Sequence, residues 1–402
     1  MGKSAHLARF ESQDFALQTR AFCRTIAAVN ASSRQDTHTH TLLAVCVSSV
    51  ALILGSGPMC QAQTCSPTPS ITPCPTCTPF NFGPCPTPTP AVYDDVDPNN
   101  PNPDPALLPV PTPFQPPDGS ELKWRKYIPD ADLFGPPPYP TVLVVHGQGF
   151  HGGSPMDAGV EQVSRDLQAR GYLALAVTYR LAPCGLIENQ PVHTDPASGR
   201  PPQQTDDIKS LVRAARSLTS LCNGKVAIIG GSAGGSHAAF VALDKTASPA
   251  NTYPNWCQNG NDDRPLCAIC LSGAYDLSDR EGTEGGAREQ YIRDVENYTN
   301  TTVRIDQKGV SPVAKVKPTN EQTFMPMYLV NSDGDIMPPH QIEDMRCALA
   351  AVGIDEDDGL KLLTIGPNHT EHSWNLWDQR IAPGTQRRVR DEALDFLAAH
   401  LN

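Results

Sequence analysis

The stretch at 225–240, KVAIIGGSAGGSHAAF, limits the possible folds of this chain more than any other. It opens with Val226, Ala227, Ile228 and Ile229, an uninterrupted apolar run of the kind a strand buried on both faces of a parallel sheet needs. Gly230-Gly231-Ser232-Ala233-Gly234-Gly235 follows, and then small residues leading to Ala238, Ala239 and Phe240 that read as a closely packed helix. A strand, a sharp turn and a helix with Gly-x-Ser-x-Gly at the turn make the pattern of a nucleophile elbow. The pattern has a steric basis. The serine must sit on strained backbone so that its hydroxyl leaves the sheet edge, and a Cβ at Gly230 or Gly234 would strike the neighbouring strand or helix. The following helix aims its dipole and free N–H groups at a developing oxyanion. Glycine and serine also fill ordinary turns, so the motif alone leaves open a structural turn in an α/β domain.

With 402 residues the chain has room for one large α/β domain and appendages. A net charge of −12 argues against a nucleic-acid partner. The composition is unusual in its 40 prolines and 13 cysteines, several of the latter in one proline-rich stretch, which points to an oxidising compartment. Cys74 with Cys77 and Cys267 with Cys270 are far apart and in unlike contexts, so no zinc or other metal site is expected.

Residues 1–63 read as an N-terminal extension. Within it, 42–54 (LLAVCVSSVALIL) is uncharged and apolar. It is shorter than the roughly 20 residues of a membrane span and has the length of a signal-peptide core. Cleavage after Ala62 and secretion are expected, with a signal-anchored membrane protein as the alternative. Residues 64–118 are rich in Pro, Thr and Cys and cannot bury a core, so they read as a polyproline-like stalk. Its Thr residues as O-glycan sites and Cys65, Cys74, Cys77 and Cys85 as a small disulfide knot are both open. The N-terminal segment is a candidate for cell-wall or membrane association.

Residues 119–402 read as the working domain. Strands are expected at 122–128, 141–145, 172–179, 268–272, 325–330 and 360–365, and helices at 159–170, 206–221, 341–352 and 388–401. The alternation means an α/β fold with a doubly wound, mostly parallel sheet. Segments 253–265 and 279–317 interrupt it and read as a small cap, with a short helix at 288–298. Cys184, Cys222, Cys257, Cys267, Cys270 and Cys347 allow three disulfides, and Cys257 with Cys267 or Cys270 would staple the cap. Asn297, Asn300 and Asn368 open glycosylation sequons, the last expected to stay unmodified.

Three constellations surround the elbow. His146-Gly147-Gln148-Gly149-Phe150-His151-Gly152-Gly153 directly follows the 141–145 strand. A glycine-rich loop there can offer the backbone N–H donors an acyl transfer needs, from Gln148 and Gly149, with Gly147 beside them and Ala233 N–H after the serine. Asn331-Ser332-Asp333-Gly334-Asp335 ends the next strand but one, and an acid at such an end can orient an imidazole. Asp335 is preferred and Asp333 is the rival. Asn368-His369-Thr370-Glu371-His372-Ser373-Trp374 follows the 360–365 strand; His372, ahead of a small residue and an aromatic, is preferred as base, with His369 as rival.

The order Ser, Asp, His and these motifs together resemble an α/β-hydrolase of the esterase group with an HGGG-type oxyanion loop, close to hormone-sensitive-lipase-like and feruloyl-esterase-like families. Tyr179-Arg180-Leu181-Ala182-Pro183, the Asp207-to-Arg213 spacing and Ser272-Gly273-Ala274-Tyr275-Asp276-Leu277 carry the same likeness, which runs from about 121 to the end. Gln148 departs from it, standing where the loop usually has a second glycine. The resemblance implies hydrolysis of small-molecule or polymer-linked carboxylic esters without a cofactor. Ser232 would attack, His372 would shuttle the proton, Asp335 would steady the imidazolium, and Gln148, Gly149 and Ala233 would hold the oxyanion. An amidase or formamidase acting on a small aryl amide is the alternative, as is a non-catalytic binding protein on the same fold.

Overall fold

A computed structural model describes residues 105–183, 199–244, 263–280, 287–318, 324–338 and 340–401. All fall within the unit Val92–Asn402. The apolar segment 42–54, the four stalk cysteines, Cys184 and Cys257 lie outside the described residues.

In chain order the elements are β1 (Leu108–Pro109), β2 (Lys123–Tyr127), α1 (Ala131–Phe134), β3 (Tyr139–Val145), α2 (Ala158–Gln168), β4 (Leu173–Val177), α3 (Gln203–Ser217), β5 (Cys222–Gly231), α4 (Ala233–Leu243), β6 (Ala268–Leu271), α5 (Ala287–Thr299), α6 (Arg304–Gly309), β7 (Met327–Ser332), α7 (Gln341–Ala350), β8 (Leu360–Ile365) and α8 (Val389–Leu401). The described strands form one sheet in the order β1-β2-β4-β3-β5-β6-β7-β8. From β4 to β8 all neighbours are parallel, while β2 runs antiparallel to β4 and to β1.

The apolar runs of the parallel strands become two core layers because alternate side chains leave opposite faces. Leu143, Val145, Ile228 and Leu329 share one layer with Ile208 and Leu211 of α3, Ala238 of α4 and Met345 of α7. Val144, Ile229, Leu271 and Val330 share the other with Val160 and Val163 of α2 and Leu394 and Leu397 of α8. Helices therefore cover both faces, and the carboxyl ends of the parallel strands open toward one rim, where ligand sites of such sheets form. A third, smaller cluster joins the cap to that rim: Tyr291, Val295 and Tyr298 of α5 pack with Phe150, Ala233 and Met337.

The structure corrects two expectations. The domain begins before 119. β1 pairs with β2, Val110 and Phe114 are buried, and Ser210 Oγ on α3 donates to the Phe114 carbonyl at 2.9 Å. Proline is at home on an edge strand and in the first turn of a short helix, so proline content alone misplaces this boundary. The second concerns the cysteines. Cys222, Cys267, Cys270 and Cys347 are free thiols, so Cys267 and Cys270 staple nothing and three domain disulfides do not form. Cys267 and Cys270 point into opposite core layers and act as small apolar fillers. Burial pushes the Cys267 thiol up to about 12.

One buried ion pair fixes the segment after β4. The Arg180 side chain is 1% exposed; its Nη2 lies 2.7 Å from Asp207 Oδ1 on α3 and its Nη1 lies 2.8 Å from Asp118 Oδ2. Asp207 Oδ2 also accepts from the Arg180 backbone N–H at 2.8 Å. Asp207 thus belongs with the arginine of the Tyr-Arg-Leu-Ala-Pro stretch. Removing the acid strands a guanidinium in the interior. Asp207→Ala is expected to cost about 3–5 kcal/mol of stability, read as a lower midpoint in urea denaturation. A loss below about 1 kcal/mol would show that Asp118 alone can carry the charge.

Candidate active site

Ser232 sits between β5 and α4 with φ 56° and ψ −123°, strained backbone for a non-glycine residue. Its N–H donates to Leu271 O on β6 at 2.8 Å, and Ser236 N–H donates to its carbonyl at 3.1 Å. A Cβ on Gly230 would collide with the carbonyl of Gly234, and one on Gly234 with the carbonyls of Val145 and His146 at the end of β3. A Cβ on Gly147 would come within 2.6 Å of Gly231 O and 2.8 Å of Ser232 Cβ. The glycines of the motif are there because backbone meets backbone at each one.

His372 Nε2 lies 2.9 Å from Ser232 Oγ, and His372 Nδ1 lies 2.7 Å from Asp335 Oδ1. A carboxylate only accepts, so Nδ1 carries the hydrogen and Nε2 turns a lone pair to the serine hydroxyl. Asp335 is 3% exposed. Besides His372 it accepts from Met337 N–H at 3.0 Å and from Ser272 Oγ at 2.6 Å. Ser272 Oγ in turn accepts from Ser373 N–H at 2.9 Å, which ties the acid to the loop that bears the histidine.

The rival residues have different partners. Asp333 accepts from the backbone N–H groups of Asn368 and His369, each at 3.0 Å, and so shapes the β8 loop. His369 Nδ1 faces Glu371 Oε2 at 3.0 Å. Neither lines the cleft that contains Ser232 and His372.

That cleft has a volume of about 590 Å³, and Gly147, Gln148, Gly149, Ser232, Ala233 and His372 are among its lining residues. The N–H groups of Gln148, Gly149 and Ala233 have no hydrogen-bond partner among the described residues. Gln148 Nε2 donates to Asp157 Oδ2 at 3.2 Å, so the side chain that departs from the glycine pattern is drawn aside by the residue directly before α2. The loop's start is held by Tyr179, whose hydroxyl donates to His146 O at 3.1 Å and whose ring stacks on His146 at 4.3 Å. Burial pushes His146 down to about 4, so its ring is neutral.

The cap supplies residues that motif reading missed. Tyr291 and Asp294 of α5 line the cleft together with Met337 and Trp374. Asp294 Oδ1 lies 3.1 Å from His151 Nε2, and this hydrogen bond raises the His151 pKa above its usual value. Ser272 was legible only as part of a resemblance. Its place at the carboxyl end of β6, beside the elbow strand, is the signal that could have marked it. The sequence marked 288–298 as a short helix of a cap, but not which of its residues reach the cleft. Among the described residues no cluster of His, Cys, Asp or Glu is arranged to hold a metal ion.

No protein-family model and no curated protein matches this chain. Solved structures do match. An acetyl ester-xyloside bifunctional hydrolase from Caldicellulosiruptor lactoaceticus superposes with a TM-score of 0.53 at 16% identity, covering 73% of this chain and 96% of that one. Esterase 2 of Thermogutta terrifontis, phosphoramylated by tabun, superposes with a TM-score of 0.51 at 20% identity, covering 73% of this chain and 94% of that one. At such identities the likeness is one of fold. Taken with the sheet order, the helices on both faces and the strand–serine–helix turn, it establishes that this chain has the α/β-hydrolase fold.

Proposed function

We propose that this chain is a serine hydrolase that cleaves carboxylic esters through an acyl-enzyme, with Ser232 as nucleophile, His372 as base and then acid, and Asp335 as the acid that orients it. One observation carries the reading: the line from Asp335 through His372 to Ser232, with spacings of 2.7 and 2.9 Å. It ends beside three amides that have no partner among the described residues. Ser232 Oγ attacks the ester carbonyl carbon while its proton passes to His372 Nε2. The carbonyl oxygen becomes an oxyanion facing the N–H groups of Gln148, Gly149 and Ala233. Collapse breaks the bond to the alcohol, which leaves with the proton from His372. A water molecule then attacks the acyl-enzyme with His372 again as base, and the acid is released.

Ester rather than amide cleavage has support from the structural neighbours, one an esterase and the other an acetyl ester hydrolase. A short acyl group suits the cleft, whose lining includes the buried rings of Phe150 and Tyr291 and the Met337 side chain. The uncharged run 42–54 and the small residues up to Ala62 support work outside the cell. N-terminal sequencing of the secreted protein is expected to begin after Ala62; recovery of the intact chain in membranes would favour the anchored form.

Ser232→Ala and His372→Ala are expected to lower kcat/KM for p-nitrophenyl acetate by about 10⁴-fold or more, and His369→Ala by less than about threefold. Retained turnover in Ser232→Ala, or equal losses in the two histidine variants, would refute these assignments. Ser272→Ala removes a donor to the acid and is expected to lower kcat about tenfold with little change in KM. Along a p-nitrophenyl series from acetate to laurate, rates are expected to fall beyond the short chains; a preference for laurate would place the acyl group elsewhere.

A further inference from the structure

The amides of Gln148 and Gly149 rest on backbone that cannot hold itself. Gln148, Gly149 and Phe150 have φ of 68°, 62° and 68°, three successive residues in the left-handed region. Only one is glycine, so the loop relaxes unless contacts outside it over-determine its shape. The restraint at its start is Tyr179. At its end the Phe150 carbonyl accepts from Ala182 N–H at 3.0 Å and from Gln204 Nε2 at 2.7 Å.

We infer that Gln204 and His237 are positioning residues for the oxyanion hole, clamping Phe150 so that the preceding N–H groups stay aimed at the oxygen of the carbonyl attacked by Ser232. The inference rests on the ester-hydrolase reading of the same site. Gln204 Nε2 donates to Phe150 O and also to Gly199 O at 2.6 Å. Both carbonyls only accept, so both amide hydrogens are committed and the orientation of the amide follows. Gln204 Oε1 is left facing His237 Nε2 at 2.7 Å, so His237 carries its hydrogen on Nε2 and donates it. Burial, with His146 nearby, pushes His237 down to about 3, which keeps the ring neutral with that single N–H.

The rings lock the same corner. Phe150 stacks on Tyr298 of α5 at 4.2 Å with an 8° tilt. His237 meets Phe150, Tyr179 and Tyr298 edge-on at 5.3, 5.1 and 5.8 Å. Gln204 and His237 are buried and neither lines the cleft, so they act through Phe150 and not on the substrate. His237 stands on α4, the helix that Ser232 begins. The clamp therefore references the oxyanion donors to the nucleophile's own helix.

The test compares wild type with Gln204→Met and His237→Phe, which keep volume and lose the hydrogen bonds, and with His237→Gln, which keeps a donor near the ring Nε2. For each, kcat and KM for p-nitrophenyl acetate, the melting temperature, and inhibition by a short alkyl boronic acid and by an unreactive ether analogue are measured. The boronic acid forms a tetrahedral adduct and reports on the oxyanion hole; the ether reports on ground-state binding. In Gln204→Met and His237→Phe, kcat is expected to fall about 10- to 100-fold at nearly constant KM. Boronate affinity should fall by a similar factor and ether affinity stay put, and His237→Gln should recover most of the activity. Unchanged kcat in both variants overturns the clamp. So does a loss in which KM, ether affinity and melting temperature all shift together, because that is general destabilisation. Wild type inactive toward every ester and blind to the boronate overturns the ester reading and the clamp with it, whereas active wild type with indifferent variants overturns the clamp alone.

Discussion

Backbone-to-backbone contact around Ser232 is the constraint from which the rest of the site follows. Gly147 lies against Gly231 and Ser232, Gly230 against the Gly234 carbonyl, and Gly234 against the carbonyls ending β3. A side chain at any of these places would force β3, β5 and α4 apart. Their close approach brings the amides of the β3 loop and of Ala233 to the same side of the serine. It also holds the serine at a positive φ that the local chain would not choose. Strain of this kind survives only inside a frame that over-determines it. Here the frame is the pair of dry core layers on the two faces of the sheet.

On that frame sits a layer of polar groups, each satisfied by a specific partner. Arg180 is matched by Asp207 and Asp118, and Asp335 by His372, Ser272 and the Met337 amide. Buried groups of this kind are useful only when complete, since an unmatched one costs more than it contributes. The two histidines behind the loop that follows β3, His146 and His237, are kept neutral by burial and serve as shaped hydrogen-bonding rings. His372 differs from them in facing the cleft with one edge and a carboxylate with the other. The cap helix α5 completes the arrangement by laying Tyr291 and Tyr298 against Ala233 and Phe150.

Most of the fold was legible because it is written in local patterns. Uninterrupted apolar runs became the central parallel strands, and the 360–365 expectation coincides with β8. Spacing at 3.6 residues gave α2 and α3, and the 288–298 segment proved to be the core of α5. The failures have physical causes too. Proline at 109 and 113 lies on an edge strand and in the first turn of a short helix, where it does no harm, so composition drew the stalk too long. Cysteine number implied bridges, among them Cys257 to Cys267 or Cys270, yet both of the latter are free thiols buried in the core layers.

What the sequence by itself determined is the strand–serine–helix turn at Ser232 and the alternation of strands and helices, because each is encoded by residues within one strand or a few helical turns of each other. What only the tertiary structure decided is which of two neighbours meets which partner. Asp333 and Asp335 differ by two positions, yet one binds the backbone of the β8 loop and the other the His372 ring. His369 and His372 differ by three, yet one meets Glu371 and the other Ser232. The couplings of Ser272 to Asp335 and of His237 through Gln204 to Phe150 were equally invisible. All but the His369–Glu371 contact join residues tens of positions apart, and only packing of the sheet and its helices brings such groups within hydrogen-bond reach.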